Sequence, residues 1–410
     1  MKLIVFVVFL FLGIGRNLPN EMLYVAGVGL PDLLLVLLMF WLLLSYRKRL
    51  ELKQEVWLLR NIFVAVSLLG VFAITSLAFN AFIYKVEIRD IFEIFKYYYQ
   101  LVVMLAAFYC TRKTGPLPAV GFVIGALIAG IVALLNPMNP DVLGVPQIFN
   151  PNVIGNVLAI SIVMCSIIIL HGRPVLGVFL GVPATVIGFF TFSKGTWLMC
   201  TLAVLACYLA LTALQGSKVA WTVRWGRYVS YAILAGLVYG AFQFSEVILI
   251  IIEAKIDATD FEASAAGGGS FSARWGLILS AIKMFLMNPL LGVGISNYEF
   301  VNRTLEPELG DAFYDDDNPN SAWFYVLGCM GLPAFICFAW VFYMGIKFIN
   351  GVPIRSTKVR TLYLGLVGLV LFIGGNVQLE MLTAYYYWTL LGILAAWQLN
   401  RPTISYPLTK

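Results

Sequence analysis

Apolar residues recur in runs near 20 residues long from one end of the chain to the other, separated by short polar joints. Within a run there is no polar stripe at helical spacing, which a buried helix of a water-soluble protein would keep. Runs of this length and character predict helices that cross a membrane, where every backbone polar group must be satisfied inside its own segment. They fall near residues 3–15, 30–46, 57–79, 92–110, 116–136, 152–170, 174–192, 196–214, 228–252, 321–348, 361–378 and 382–399. The pattern therefore predicts an all-α polytopic membrane protein with about 12 transmembrane helices.

Composition agrees. The 410 residues are 61% hydrophobic and only 12% charged, whereas a soluble chain carries about a quarter charged residues. All six cysteines lie inside apolar runs without metal-ligand spacing, so they read as small core residues. The only histidine, His171, sits in a short "HGRP" turn, which excludes a metal site built on several histidines. The first fifteen residues have the length of a signal peptide, but no small-residue cleavage site follows in "FLGIGRNLPNE", so they read as a short first span. Gly121/Gly125, Gly177/Gly181 and Gly236/Gly240 have the spacing that lets membrane helices approach closely.

The basic residues give an orientation. Arg47, Lys48, Arg49 and Lys53 fill one joint, and Arg112 and Lys113 the joint two spans later. Arg173, then Lys218, Arg224 and Arg227, then Arg355, Lys358 and Arg360 continue the alternation. With these joints and both termini in the cytoplasm, 18 of the 27 Lys and Arg lie inside and 9 outside. Of the 21 acids only Glu51 and Glu55 lie inside, which leaves 19 outside. The expectation follows the positive-inside rule.

Three regions result: spans one to nine over 1–252, a large periplasmic loop over 253–320, and spans ten to twelve over 321–410. "AAGGGS" at 265–270 is a flexible joint within the loop. The run "FSARWGLILSAIKMFLMNPLLGVG" after it forms a helix that stops at Asn288-Pro289. It is expected to lie along the outer membrane face or to pack on the bundle.

A few polar residues at the outer boundary need a reason. Lys194, in "TFSKGTW", is either a snorkelling lysine or an anion contact in an outward-facing cavity. Arg274 is either an interfacial anchor or a phosphate ligand, since its planar fork of donors suits a phosphate. "DDDNPNSAW" at 315–323 places Asp315, Asp316 and Asp317 before Asn318 as N-cap and Pro319 in the first turn of span ten. An acidic loop capping a helix accounts for the three acids. Asn320 and Ser321 in that turn also make a ready contact for an anion or a sugar.

These residues resemble a known family. "RWGLILSAIKMFLMNPLLGVGISNYEF" is similar to the arginine-plus-"PllGvG" segment of the O-antigen ligase and polymerase superfamily. Asn320-Ser321, the nine residues Ala322 to Met330, then Gly331, Leu332, Pro333 and Ala334 resemble the ligase signature of that family. "TFSKGTW" resembles its earlier Ser-Arg-Gly segment, with Lys194 at the arginine position. Three departures stand out: Asn320 replaces the signature histidine, Lys194 the first arginine, and Ala334 the closing glycine. An asparagine cannot act as a general base at neutral pH, although it can orient a sugar hydroxyl.

The resemblance implies a GT-C-like, all-helical glycosyltransferase of the bacterial inner membrane. Its donor would be an undecaprenyl-diphosphate-linked oligosaccharide, met on the periplasmic side. Arg274, and after it Lys194 and Ser321, would bind the diphosphate, with Arg274, Asn320 and Asp317 as the catalytic set. Asp316 and Glu306 are the other acids in reach of a base role. No cofactor is called for, because two fixed cations can do the electrostatic work of a metal. The acceptor glycan, the lipid bilayer and a chain-length regulator are the expected partners, and nucleic acid is not. The departures favour a polymerase of lipid-linked repeats over a ligase transferring the finished glycan to lipid A-core or protein. A membrane transporter is the reading from another class. It would place its ionisable residues at mid-membrane, not at the outer boundary.

Overall fold

The computed structural model describes residues 2–14, 24–25, 28–46, 53–81, 83, 88–135, 151–191, 193–213, 270–295, 297–306, 319, 321–352, 354, 356–377 and 384–399. Helices occupy eleven of the twelve apolar runs: α1 (Lys2–Ile14), α2 (Leu30–Tyr46), α3 (Lys53–Asn80), α4 (Ile88–Thr114), α5 (Leu117–Leu135), α6 (Pro151–Leu170), α7 (Pro174–Phe189) and α8 (Lys194–Ala213) precede the long loop. Within the loop come α9 (Ser270–Met287) and α10 (Tyr298–Thr304). The long α11 (Ala322–Ile349), α12 (Thr357–Val377) and α13 (Tyr385–Leu399) follow. A two-residue antiparallel pair, Tyr24–Val25 with Val28–Gly29, leads into α2. The run at 228–252, Gly236/Gly240 and "AAGGGS" lie outside the described residues.

The architecture is all-helical, and among the described residues six helices are long and apolar enough to cross a membrane. They lie in α3, α5, α6, α8, α11 and α12. The other apolar runs form shorter or more charged helices: α1 has 13 residues, α7 has 16 and α13 has 15. At 1.5 Å per residue such helices reach roughly 20–24 Å, against a hydrocarbon layer of about 30 Å. The expected count of about twelve spans thus includes helices that do not qualify by length and composition alone.

The axis of the bundle is α6, whose residues from Ile154 to Leu170 are buried on every side. Its hydroxyls are satisfied locally or across the bundle: Ser161 donates to the Val157 carbonyl at 2.8 Å, and Ser166 meets the Tyr363 hydroxyl at 2.6 Å. The small-residue pairs work as their spacing implies. A β-carbon at Gly121 would stand 2.7 Å from the Phe6 carbonyl oxygen, and Gly125 packs against the Leu10 carbonyl, so α1 and α5 cross backbone to backbone. Gly177 and Gly181 bring α7 onto Cys165 of α6 in the same way. The six cysteines are free thiols, five of them buried.

His171 occupies the turn between α6 and α7 and stacks on Trp397 of α13, ring centroids 4.7 Å apart and 13° from parallel. Its Nε2 is buried without a hydrogen-bond partner. Burial first, and then the nearby Arg173 charge, lower its pKa from 6.5 to about 4. A lowered folded-state value means the neutral ring is the one the fold prefers. The contribution is whole above the unfolded-state value and is lost as pH falls toward 4. The melting temperature of the detergent-solubilised protein should hold above pH 6.5 and fall between 6.5 and 4. In His171→Phe that part of the fall should disappear.

Candidate active site

Span ten begins later than the sequence pattern implies. Ser321 has extended backbone angles (φ −145°, ψ 120°), and the first helical residue is Ala322. Pro319 is buried but lies ahead of the helix, not in its first turn, because the extended Ser321 interrupts helical geometry between them. Tyr325 N–H donates to the Ser321 carbonyl at 2.9 Å, closing the first turn. Ser321 itself is buried.

One turn further in, α11 widens into a π-helix over Val326–Met330. The sequence "GCMGLP" (328–333) explains why. In an α-helix the Cys329 carbonyl would accept the amide of residue 333, which is proline and has no N–H. The Gly328 carbonyl would accept the Leu332 amide, but that amide donates instead to the Pro289 carbonyl at 2.9 Å. Both freed carbonyls are taken by the loop after α9: Val293 N–H donates to Gly328 at 3.1 Å and Gly294 N–H to Cys329 at 2.9 Å. The "NPLLGVG" loop therefore serves as the missing partner strand of a broken membrane helix. π-Helical turns of this kind concentrate at functional sites.

Two glycines permit the contact. Gly292 has φ 64° and Gly331 φ 80°, both in the left-handed region. A β-carbon on Gly292 would overlap the Cys329 carbonyl, and one on Gly331 would overlap that of Leu290. Side chains lock the loop from outside. The Tyr325 hydroxyl donates to the Ile295 carbonyl, and Asn297 Nδ2 to the Val293 carbonyl at 2.8 Å. Tyr298 donates to the Leu277 carbonyl of α9 at 2.8 Å.

This docking fixes how α9 lies on α11. Ala281 meets Gly328, where a β-carbon would stand 2.8 Å from the Ala281 carbonyl oxygen, and Pro289 meets Leu332. The two elements thus run in the same sense. Arg274 and Ser321 each precede the Ala281–Gly328 contact by seven residues (281 − 274 and 328 − 321), so both lie at the same end of it. Of the two expected placements for α9, packing on the bundle is the one observed; Leu277, Ser280, Ala281 and Met284 are all buried.

Lys194 reaches the same end through other helices. It is the first residue of α8. Trp323, two residues after Ser321, packs its ring 5.5 Å from Phe372 of α12. Gly374 on α12 faces the Tyr387 hydroxyl of α13, and a β-carbon there would stand 3.6 Å from Met199 Sδ, five residues into α8 from Lys194 (199 − 194). α12 thus links the start of α8, where Lys194 stands, to the Ser321 end of α11, on which α9 docks. Asn320 and Asp317 lie outside the described residues, as do Asp315 and Asp316, while Glu306 is exposed just beyond α10.

The same end holds buried polar atoms without hydrogen-bond partners: Thr196 Oγ1, Trp323 Nε1 and Tyr387 OH. Buried groups of this sort are normally satisfied, so these three atoms give this end hydrogen-bonding capacity that the protein itself does not use. Trp323 also packs on Phe338 and Phe342, with ring centroids 4.7 and 5.1 Å away, so an aromatic layer underlies the polar atoms. Sequence reasoning missed Ser76, Asn80 and Tyr325. The signal it had was "SLAFN" (76–80), two polar residues four apart on one face of an otherwise apolar run.

Residues 176–339 match the O-antigen ligase family. That match supports the O-antigen ligase and polymerase superfamily. No curated protein is a significant match to the chain. The family domain starts within α7 and ends within α11, so it contains Lys194, Arg274, Asp317, Asn320 and Ser321 as well as the broken helix and its loop. It supports a glycosyltransferase-like role in O-antigen assembly at a membrane, with lipid-linked glycans as substrates.

Proposed function

We propose that the chain is a polymerase that joins undecaprenyl-diphosphate-linked repeat units into O-antigen, capsule or exopolysaccharide on the periplasmic side of the inner membrane. The observation that carries this reading is the register of α9 on α11, which sets Arg274 and Ser321 at one end of a shared contact within the family domain. The GT-C-like architecture, both termini in the cytoplasm and a periplasmic 253–320 segment belong to the same proposal. They rest on the all-helical fold and on the 18-to-9 division of basic residues. A cysteine at Gly268 should react with an impermeant reagent added outside, and one at Lys218 should not. The reverse pattern would remove both the orientation and the site.

In the proposed reaction a hydroxyl oxygen of the acceptor glycan attacks the anomeric carbon of the donor. The bond from that carbon to the diphosphate oxygen breaks, and the lipid diphosphate leaves with the electron pair. Arg274, then Lys194, stabilise the growing negative charge, and Ser321 adds a hydrogen bond. Asn320 orients the acceptor or the diphosphate. The acceptor proton passes to Asp317, or to Asp316 or Glu306.

A ligase reading is favoured by the name of the matched family; the asparagine at position 320 weighs against it. Surface glycan from a deletion strain separates the two. Single repeats on the acceptor, with no long chains, are the expected result. Long chains left unattached would replace this reading with the ligase, and an unchanged glycan would contradict both. A chain-length regulator is a further proposed partner.

A further inference from the structure

We infer that Ser76 and Asn80 of α3 are positioning residues of this site, acting through the loop that docks on the broken helix. The inference rests on the polymerase reading for its activity arm and on geometry alone for the rest. The Ser76 hydroxyl lies 2.5 Å from the Leu291 carbonyl and 3.1 Å from the Cys329 carbonyl. It has one proton, so it can serve one of the two at a time. Cys329 keeps its bond from Gly294 N–H in either case, and so neither arrangement strands the helix carbonyl. Asn80 uses both amide protons, one toward the Ser76 carbonyl at 2.8 Å and one toward the Gly292 carbonyl at 3.3 Å. Both side chains are buried.

Three elements far apart in the chain meet here: the end of α3, the 288–294 loop and the π-turn of α11. The loop is the hinge between α9, which carries Arg274, and the rest of the bundle. Its hold on α11 consists of backbone bonds to carbonyls that Pro333 and the diverted Leu332 amide leave open. Ser76 and Asn80 add side-chain donors from a third helix, so α9 is fixed in depth and register relative to Ser321. Neither residue touches the reacting atoms. Their effect would be transmitted as placement, and a misplacement of about 1 Å in such sites costs roughly a hundredfold in rate.

The test uses the full-length protein in proteoliposomes, with polyprenyl-diphosphate-linked single repeats extracted from the deletion strain as the probe. Ser76→Ala should lower kcat for elongation about ten- to a hundredfold, with KM nearly unchanged, and Ser76→Thr should restore most of it. Hydrogen exchange at the Val293 and Gly294 amides should quicken about tenfold in Ser76→Ala and in Asn80→Ala. In an Arg274→Lys background the same Ser76→Ala change should cost less, because placement matters only where there is a fork to place. Unchanged kcat, unchanged exchange at those two amides, or an equal loss in both backgrounds would each overturn the inference. If the wild-type protein itself makes no polymer, the polymerase reading falls, and the exchange measurement alone decides whether the latch exists.

Discussion

Arg274→Ala is expected to abolish glycan elongation while the amount of protein in the membrane stays at the wild-type level. The residue stands in the helix that docks on α11, at the same end as Ser321 and within the family domain. In the proposed reaction it meets charge that grows as the lipid diphosphate departs. Removing one fixed donor of that kind costs about 100- to 1,000-fold in rate, enough to leave only the starting repeat on the acceptor. Arg274→Lys should restore elongation in part, since a point charge returns without the planar fork. Unimpaired elongation in Arg274→Ala would take the residue out of the mechanism and leave Lys194 as the candidate cation.

Gly292→Ala should do comparable damage by a different route. The position has φ 64°, and its β-carbon would overlap the Cys329 carbonyl in the π-turn. Left-handed geometry costs a non-glycine residue about 1–2 kcal/mol, and forcing atoms into a filled contact about 1–3 kcal/mol more. The loop would have to lift from α11, exposing the Gly328 and Cys329 carbonyls together. Loss of both folded protein and elongation is the expected outcome, read by detergent-resistant folding and glycan length. Gly365→Ala is the matched control. Nothing lies within 4 Å of its would-be β-carbon, and it should behave as wild type. Equal behaviour of the two variants would mean that the loop does not dock as described.

The helices were legible because membrane solvation writes them into the sequence as long apolar runs, and eleven of the runs are helices. The beginning of span ten was not. Asn318-Pro319 is a good start signal, yet the extended Ser321 moves the helix to Ala322, a matter of local packing that cap rules do not see. The π-turn was half legible. Pro333 announces that Cys329 lacks a helical partner, but nothing local says which segment will supply one. The partner is the Gly294 amide, 35 residues earlier (329 − 294), and the Ser76 hydroxyl that also reaches the Cys329 carbonyl comes from 253 residues away. The candidate site residues came from charge at an apolar boundary and from short motifs. The glycines of "PLLGVG" and of the signature then proved to have a shared physical reason, since Gly292 and Gly331 face one another's backbone neighbours across a single contact.

Elongation by the purified full-length protein tests the central claim most directly. Reconstituted in proteoliposomes with polyprenyl-diphosphate-linked single repeats and no other protein, it should convert them into a ladder of longer lipid-linked chains. Arg274→Ala, reconstituted in equal amount, should leave the single repeats unchanged. Single repeats that persist with the wild-type protein, or a ladder of equal length with Arg274→Ala, would contradict the account.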